Sequence, residues 1–178
     1  MENNVKKHAN KSRSAIRRGE RAISDPTMIK QLLMRDRYGV LATNHQDQPF
    51  ATPVNYLYIE EDHAVYFHGA HVGRTRANIA LNPKVCFNVS EMGDLFPGDR
   101  ISDFGVEYQS VTVFGTAAKL QETKKITAVL LGLMQKYFPE YKPGDDYPLP
   151  QADELKRTAV YQILIEEWSG KQLNRDSD

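Results

Sequence analysis

Residues 64–89, AVYFHGAHVGRTRANIALNPKVCFNV, require a short helix between two strands, and any fold for this chain has to place that helix. The run 65–68 predicts a strand, Gly69 and Gly73 bracket a loop, 74–81 predicts a helix, and Asn82-Pro83 stops it before a second strand over 85–89. Arg74, Thr75 and Arg76 then occupy the first helical turn. Open backbone N–H groups and the positive end of the helix dipole already sit there, so a cation is misplaced by roughly 0.3–1 kcal/mol if nothing binds. A phosphate removes the mismatch, because N–H groups, guanidinium forks and a hydroxyl can all converge on it. Gly73, Arg74, Thr75 and Arg76 therefore predict a phosphate-bearing ligand; two arginines splayed into solvent are the alternative reading of the same residues.

The flanking sequence reads mostly as hairpins. Asp25 and Pro26 predict a helix start, Ile29, Leu32 and Leu33 its buried stripe, and Gly39 its stop after Tyr38. A strand over 40–43, a polar turn over 45–48 and a longer strand over 50–59 follow. Pro53 lies within that longer strand and cannot donate to a ladder, which predicts an edge, a bulge or a break where backbone groups meet a ligand. Residues 91–104 read as a loop, 109–120 as a strand with a bulge at Gly115, 124–138 as a second amphipathic helix, and 140–153 as a proline-rich loop. The last strand is predicted over 160–168 and a polar tail over 169–178. About six strands in hairpin succession, with two longer helices and one short one, make a mainly β chain: an antiparallel six-stranded barrel with flanking α-helices. A βαβ unit over 64–89 is the competing topology.

Several chemistries are excluded or disfavoured. At 178 residues the chain fits one domain, with 23 Lys plus Arg balancing 23 Asp plus Glu, so no global charge points to nucleic acid or membrane. The single Cys86 precludes an internal disulfide, and its apolar strand predicts an inert thiol. No run reaches the length of a membrane span and no apolar signal region opens the chain, from which a cytoplasmic location is expected. Residues 1–22 are basic and poor in apolar residues and read as a flexible arm, 23–171 as the folded domain, and 172–178 as a polar tail. Dinucleotide-binding GxGxxG, the phosphate-binding GxxxxGK[ST] loop and the hydrolase GxSxG are all absent. His63, His68 and His71 do not fall at ligand spacing with a carboxylate or thiolate, so no metal site is expected. His68 closes its strand six residues before Arg74; at roughly 3.3 Å per strand residue that separation matches an extended nucleotide.

Taken together, Gly39-Val40-Leu41-Ala42-Thr43, Thr52-Pro53-Val54-Asn55-Tyr56, Tyr66-Phe67-His68, Val72-Gly73-Arg74 with Arg76-Ala77-Asn78, Tyr108-Gln109-Ser110-Val111 with Phe114-Gly115-Thr116-Ala117, and Leu155-Lys156-Arg157-Thr158 leading to Trp168-Ser169-Gly170-Lys171 resemble the flavin-binding split-barrel superfamily of pyridoxamine phosphate oxidases. More closely, the chain looks like the nitroimidazole-resistance (Nim) proteins. The resemblance implies an FMN-binding split barrel, a homodimer with flavin at the subunit interface, and reduction of small nitroaromatic compounds to amines. It implies that Thr52, Pro53, Val54 and Asn55 line the flavin ring, that Arg74, Thr75 and Arg76 take the phosphate, that Gly69, Val72 and Gly73 also belong to the cofactor site, and that His68 lies beside the flavin. Ser110 of one subunit and Trp168 of either would complete the pocket, with core or dimer packing as the alternative role for Trp168. Relatives often carry Lys or Arg where Thr75 stands, and the basic residues that hold pyridoxamine phosphate have no clear counterpart, which argues against the vitamin as substrate. Histidine is the side chain whose reference pKa lies near neutrality, so His68 is the candidate proton donor. A non-catalytic flavin carrier or sensor, and a haem-binding relative with His68 or His71 as axial ligand, are the competing functions.

Overall fold

The Asp25 carboxylate accepts a hydrogen bond from the Thr27 amide at 2.8 Å, with Pro26 at the first helical position. In the computed structural model, which describes residues 10–174, this cap opens α1 (Pro26–Arg35), which buries Ile29, Leu32 and Leu33. The helix ends at Arg35, earlier than the Gly39 stop expected from the sequence, because Met34 is 44% and Tyr38 57% exposed and the apolar stripe does not continue. Gly39 instead begins β2 (Gly39–His45). Gln46 and Asp47, with φ of 51° and 60°, form a two-residue turn into β3 (Gln48–Val54).

The expected single strand over 50–59 is two strands. Asn55 separates β3 from β4 (Tyr56–Ile59), and the break therefore falls two residues after Pro53, which itself pairs with Val40. Next come β5 (Ala64–Gly69), α2 (Arg74–Leu81) and β6 (Lys84–Phe96). The loop expected over 91–104 is shorter and starts later: β6 continues to Phe96 and β7 (Gly105–Lys119) begins at Gly105. A register shift between Met92 and Leu95, both more than 70% exposed, hides any apolar alternation there. After α3 (Thr123–Tyr137), the proline-rich segment contains a further short helix, α4 (Ala152–Arg157), started by a capping box in which Gln151 and Glu154 exchange side-chain and backbone hydrogen bonds. The last strand, β8 (Ala159–Leu173), extends five residues past Trp168. Its polar Ser-Gly-Lys-Gln end is held by backbone pairing on both sides, to β7 and to the two-residue β1 (Ala22–Ile23).

All strand pairings are antiparallel, in the order β3-β2-β6-β7-β8-β5-β4 with β1 beside β8. β5 and β6 are not neighbours, so α2 crosses the sheet and no βαβ unit forms. The sheet has eight strands where six were expected, the surplus coming from β1 and from the division at Asn55. Its terminal strands, β3 and β4, are joined by Asn55 alone, so the sheet has to curl back on itself. It is a barrel closed covalently at one seam and split in its hydrogen bonding.

Two apolar layers follow from β5, whose Ala64, Val65, Tyr66 and Phe67 are all buried. Val65 and Phe67 join Leu41, Phe87, Val111, Val113, Tyr161 and Ile163 in the barrel interior, sealed by Ile29, Leu32 and Leu33 of α1. Ala64 and Tyr66 face outward and pack with Val160 beneath Val129 and Leu133 of α3. The irregularity expected at Gly115 is present as a register shift between Phe114 and Gly115, but the extra residue is Glu166 on the partner strand β8. In the described part of the basic arm, Ser12, Arg13 and Ser14 lie on this chain's own β8, bonded to Glu166 and Glu167; residues 1–9 of the arm and 175–178 of the tail lie outside the described residues. No described helix is long and apolar enough to cross a membrane. Burial raises the Cys86 thiol above its ordinary pKa, with Arg13 opposing, which favours the protonated, unreactive form.

Candidate functional site

Gly73 caps α2 in a left-handed conformation, φ 115°, that a side-chain-bearing residue adopts only with strain. Having no side chain, it leaves the first backbone N–H groups of α2 uncapped. Arg74, Thr75 and Arg76 form the first turn, which contains no acidic residue. Among the described residues neither guanidinium has an ion pair or hydrogen-bond partner. The helix itself is firmly seated: Ile79 is buried, and the 1% exposed Asn78 donates from Nδ2 to Thr43 Oγ1 at 2.9 Å.

A cleft of about 260 Å³ lies against this turn, lined by Thr52 and Val54 of β3, Phe67, His68 and Gly69 of β5, Ala70, Val72 and Gly73 of the next loop, Arg74, Thr75 and Arg76, and Tyr161 of β8. Nine of the sequence-predicted residues therefore share one site: Thr52, Val54, His68, Gly69, Val72, Gly73, Arg74, Thr75 and Arg76. Thr52 and Val54 reach it together because strand side chains alternate. By the same alternation Pro53 points away, and Asn55 turns to donate from Nδ2 to the Arg37 carbonyl at 3.1 Å. β3 is an edge strand, so its backbone beside Pro53 has a side without a neighbouring strand.

Ser110 and Trp168 are not in this cleft. Ser110 Oγ donates to the Lys171 carbonyl on the β7–β8 ladder at 3.4 Å. Trp168 packs on the barrel core and meets the His63 ring edge-on at 4.8 Å. The sequence reading missed Phe67 and Tyr161, which face each other across β5 and β8 with stacked rings 5.0 Å apart. The Tyr161 hydroxyl donates to Ala70 O at 3.0 Å and fixes the loop that leads to Gly73. Burial raises the Tyr161 phenol, keeping the donor protonated, while nearby Arg76 opposes the shift. Two buried-type residues in apolar strands carry no local signal of this role; only the register reveals it. His68 is exposed and borders two cavities, this cleft and a more apolar one under α3.

A second polar group lies where α3 crosses β4. Asp36 Oδ2, the Tyr56 hydroxyl and Lys136 Nζ are buried and have no hydrogen-bond partner among the described residues, and Nζ stands 3.8 Å from the Tyr56 ring centroid. Burial lowers Lys136 to about 8, with Asp36 opposing, and the ring face offsets part of the cost of its charge. Below pH 8 the folded and unfolded chains both carry this proton and the burial penalty is fully present. Between about 8 and the ordinary 10.5 the folded state gives up the proton first, so stability rises with pH. Lys136→Met is therefore expected to raise the melting temperature at neutral pH, with the gain over wild type shrinking towards pH 10. Thermal unfolding followed by circular dichroism at the two pH values checks it, and a gain that grows with pH overturns the assignment.

A family model described as pyridoxamine 5'-phosphate oxidase matches residues 25–172. No curated protein matches the sequence. Among solved structures, the flavocytochrome Anf3 from Azotobacter vinelandii is similar at a TM-score of 0.73 and 22% identity, covering 94% of this chain and 79% of that one. A candidate 5-nitroimidazole antibiotic resistance protein from Bacteroides thetaiotaomicron gives 0.71 at 16% identity, covering 85% and 86%. The FAD- and haem-binding protein from Mycobacterium smegmatis gives 0.76 at 18% identity, covering 85% and 73%. At these identities the likeness is one of fold.

Proposed function

Because the chain belongs to the pyridoxamine 5'-phosphate oxidase family across residues 25–172, we propose that it is an FMN-binding oxidoreductase that reduces small electron-poor compounds, nitroimidazoles among them. The observation that carries the reading is the α2 N-terminus, where two arginines without a protein anion, a hydroxyl and uncapped amides face one cleft. These donors fit a phosphate monoester in charge and hydrogen-bonding chemistry. Thr52 and Val54 of the edge strand β3 line the same cleft and fit the remainder of such a cofactor. Names of solved relatives that include FAD binding and nitroimidazole resistance support the same reading.

When bound, FMN supplies reversible redox chemistry to an acceptor; the chain's own residues supply position and protons. Arg74 and Arg76 anchor the phosphate. His68, exposed at the cleft mouth, is placed to hand a proton to the acceptor, since reduction of a nitro group to an amine consumes protons with the electrons. The protein is proposed to act as a homodimer, which would let Ser110 and Trp168, absent from the cleft of their own chain, approach that of a second copy.

The test is anaerobic. Dithionite-reduced protein should be reoxidised by a 5-nitroimidazole faster than free reduced FMN is, and His68→Ala should slow this step by about 10²-fold or more. Reoxidation by ferricyanide, which takes electrons without protons, should be unchanged in the variant. Nitroimidazole reoxidation no faster than that of free FMN refutes the reductase reading and leaves a flavin carrier or sensor. A haem reading, raised by the neighbours that bind it, would need a free imidazole lone pair. Lys119 Nζ donates to His71 Nδ1 at 3.1 Å, which puts the ring proton on the buried Nε2 and leaves His71 none to offer iron. His68 remains, and a Soret band in the purified protein would decide for it.

A further inference from the structure

His68 also forms one end of a cavity of about 290 Å³ that the phosphate cleft does not include. Its walls are Leu130, Leu131, Leu133 and Met134 of α3 and Tyr147, Pro148 and Pro150 of the loop that follows it, and Glu154 and Thr158 supply its polar lining. The loop wall is held in place rather than draped. Gly144 N donates to Tyr147 O at 2.7 Å, Lys142 N to Asp146 Oδ2 at 2.8 Å, and Gln151 Nε2 to Leu149 O at 2.6 Å. Glu154 is fixed as well, since its Oε2 accepts from the Gln151 amide at 2.7 Å. Leu131 and Met134 are half-buried and belong to neither apolar core cluster, so their side chains line the cavity at the edge of the packed interior.

We propose that this cavity is the acceptor-binding pocket and selects neutral, one- or two-ring electron-poor molecules, whose polar substituent meets His68 while the ring lies on Leu131 and Met134. The placement of the pocket beside the redox centre rests on the FMN reading above; the pocket itself rests on its own lining. Three features set the ligand class. The volume lies near the lower end of the roughly 300–1,000 Å³ typical of ligand sites, which admits a small ring system and excludes long chains. The lining is aliphatic and proline-rich, so a charged ligand would lose its hydration without a partner. Among the described residues that line the cavity, Glu154 is the one acidic side chain, and its carboxylate repels anions.

Isothermal titration calorimetry of oxidised, FMN-loaded protein with 4-nitroanisole and with 4-nitrobenzoate, a neutral and an anionic probe of similar size, tests the assignment. The neutral probe is expected to bind about tenfold or more tightly than the anion. Leu131→Trp and Met134→Trp, which fill the cavity, should each abolish 4-nitroanisole binding while FMN stoichiometry and melting temperature stay at wild-type values. Glu154→Gln keeps the capping box and should bring the two probes within about threefold of each other. Undiminished 4-nitroanisole binding in both tryptophan variants, equal affinity for the two probes in wild type, or no heat with either probe overturns the proposal. The Arg74→Ala/Arg76→Ala protein separates the two claims, because it should lose FMN and still bind 4-nitroanisole. If wild-type protein binds the neutral probe but no FMN, the pocket stands and the flavin reading falls.

Discussion

Replacing Arg74 and Arg76 together with alanine is expected to weaken FMN binding by about 10²–10⁴-fold while leaving riboflavin affinity unchanged. Among the described residues neither guanidinium has an ion-pair or hydrogen-bond partner, and both sit at the uncapped start of α2. A hydrogen bond to a charged group contributes about 1.5–3 kcal/mol, and two lost contacts convert to that range at about 1.4 kcal/mol per decade. Riboflavin has the ring and ribityl chain without the phosphate, so it isolates the end of the ligand the arginines hold. Titration by quenching of flavin fluorescence reads both affinities. Equal losses for FMN and riboflavin would mean that the substitutions disturbed the cleft generally, and no loss for FMN would remove the phosphate from this site.

Gly115→Ala is expected to destabilise the fold by about 3 kcal/mol, a drop in melting temperature of roughly 10 °C for a chain of this size. A Cβ at this position would lie 2.1 Å from the Leu164 carbonyl oxygen, an approach that backbone on β8 cannot yield without losing ladder bonds. Gly115 stands at the point where β8 carries one extra residue, Glu166, between the partners of Phe114 and Gly115. The bulge and the missing side chain are thus one device, and it lies outside the cofactor cleft. Folded Gly115→Ala protein should therefore bind FMN with wild-type affinity. A change in melting temperature below about 2 °C would show that β8 accommodates the methyl group, contrary to the geometry.

Local chemistry was the legible part. The Asp25-Pro26 cap and the Arg74 to Leu81 helix between Gly73 and Asn82 depend on residues within a few positions of each other, and the structure has them as read; Gly115 marks an irregularity whose extra residue is on β8. The misreadings arose where distant pairing overrides local composition. Ser169 to Leu173 looks like a polar tail but pairs with β7 throughout and with β1 at Gly170 and Lys171, and Met92 and Leu95 lie in a hairpin end that buries neither. α4 went unseen because its cap is a glutamine in a proline-rich setting. At the cleft, Gly73, Arg74, Thr75 and Arg76 were readable from the helix-start pattern. Tyr161 was not, since it enters only because β8 pairs with β5 and carries its ring opposite Phe67.

The seam at Asn55 leaves β3 with one open flank, and in most proteins such a flank invites another chain to add a strand. Here β3 carries Pro49 and Pro53, neither of which has an N–H to offer an incoming strand. The gap can thus stay open for a small molecule while being a poor template for polymerisation.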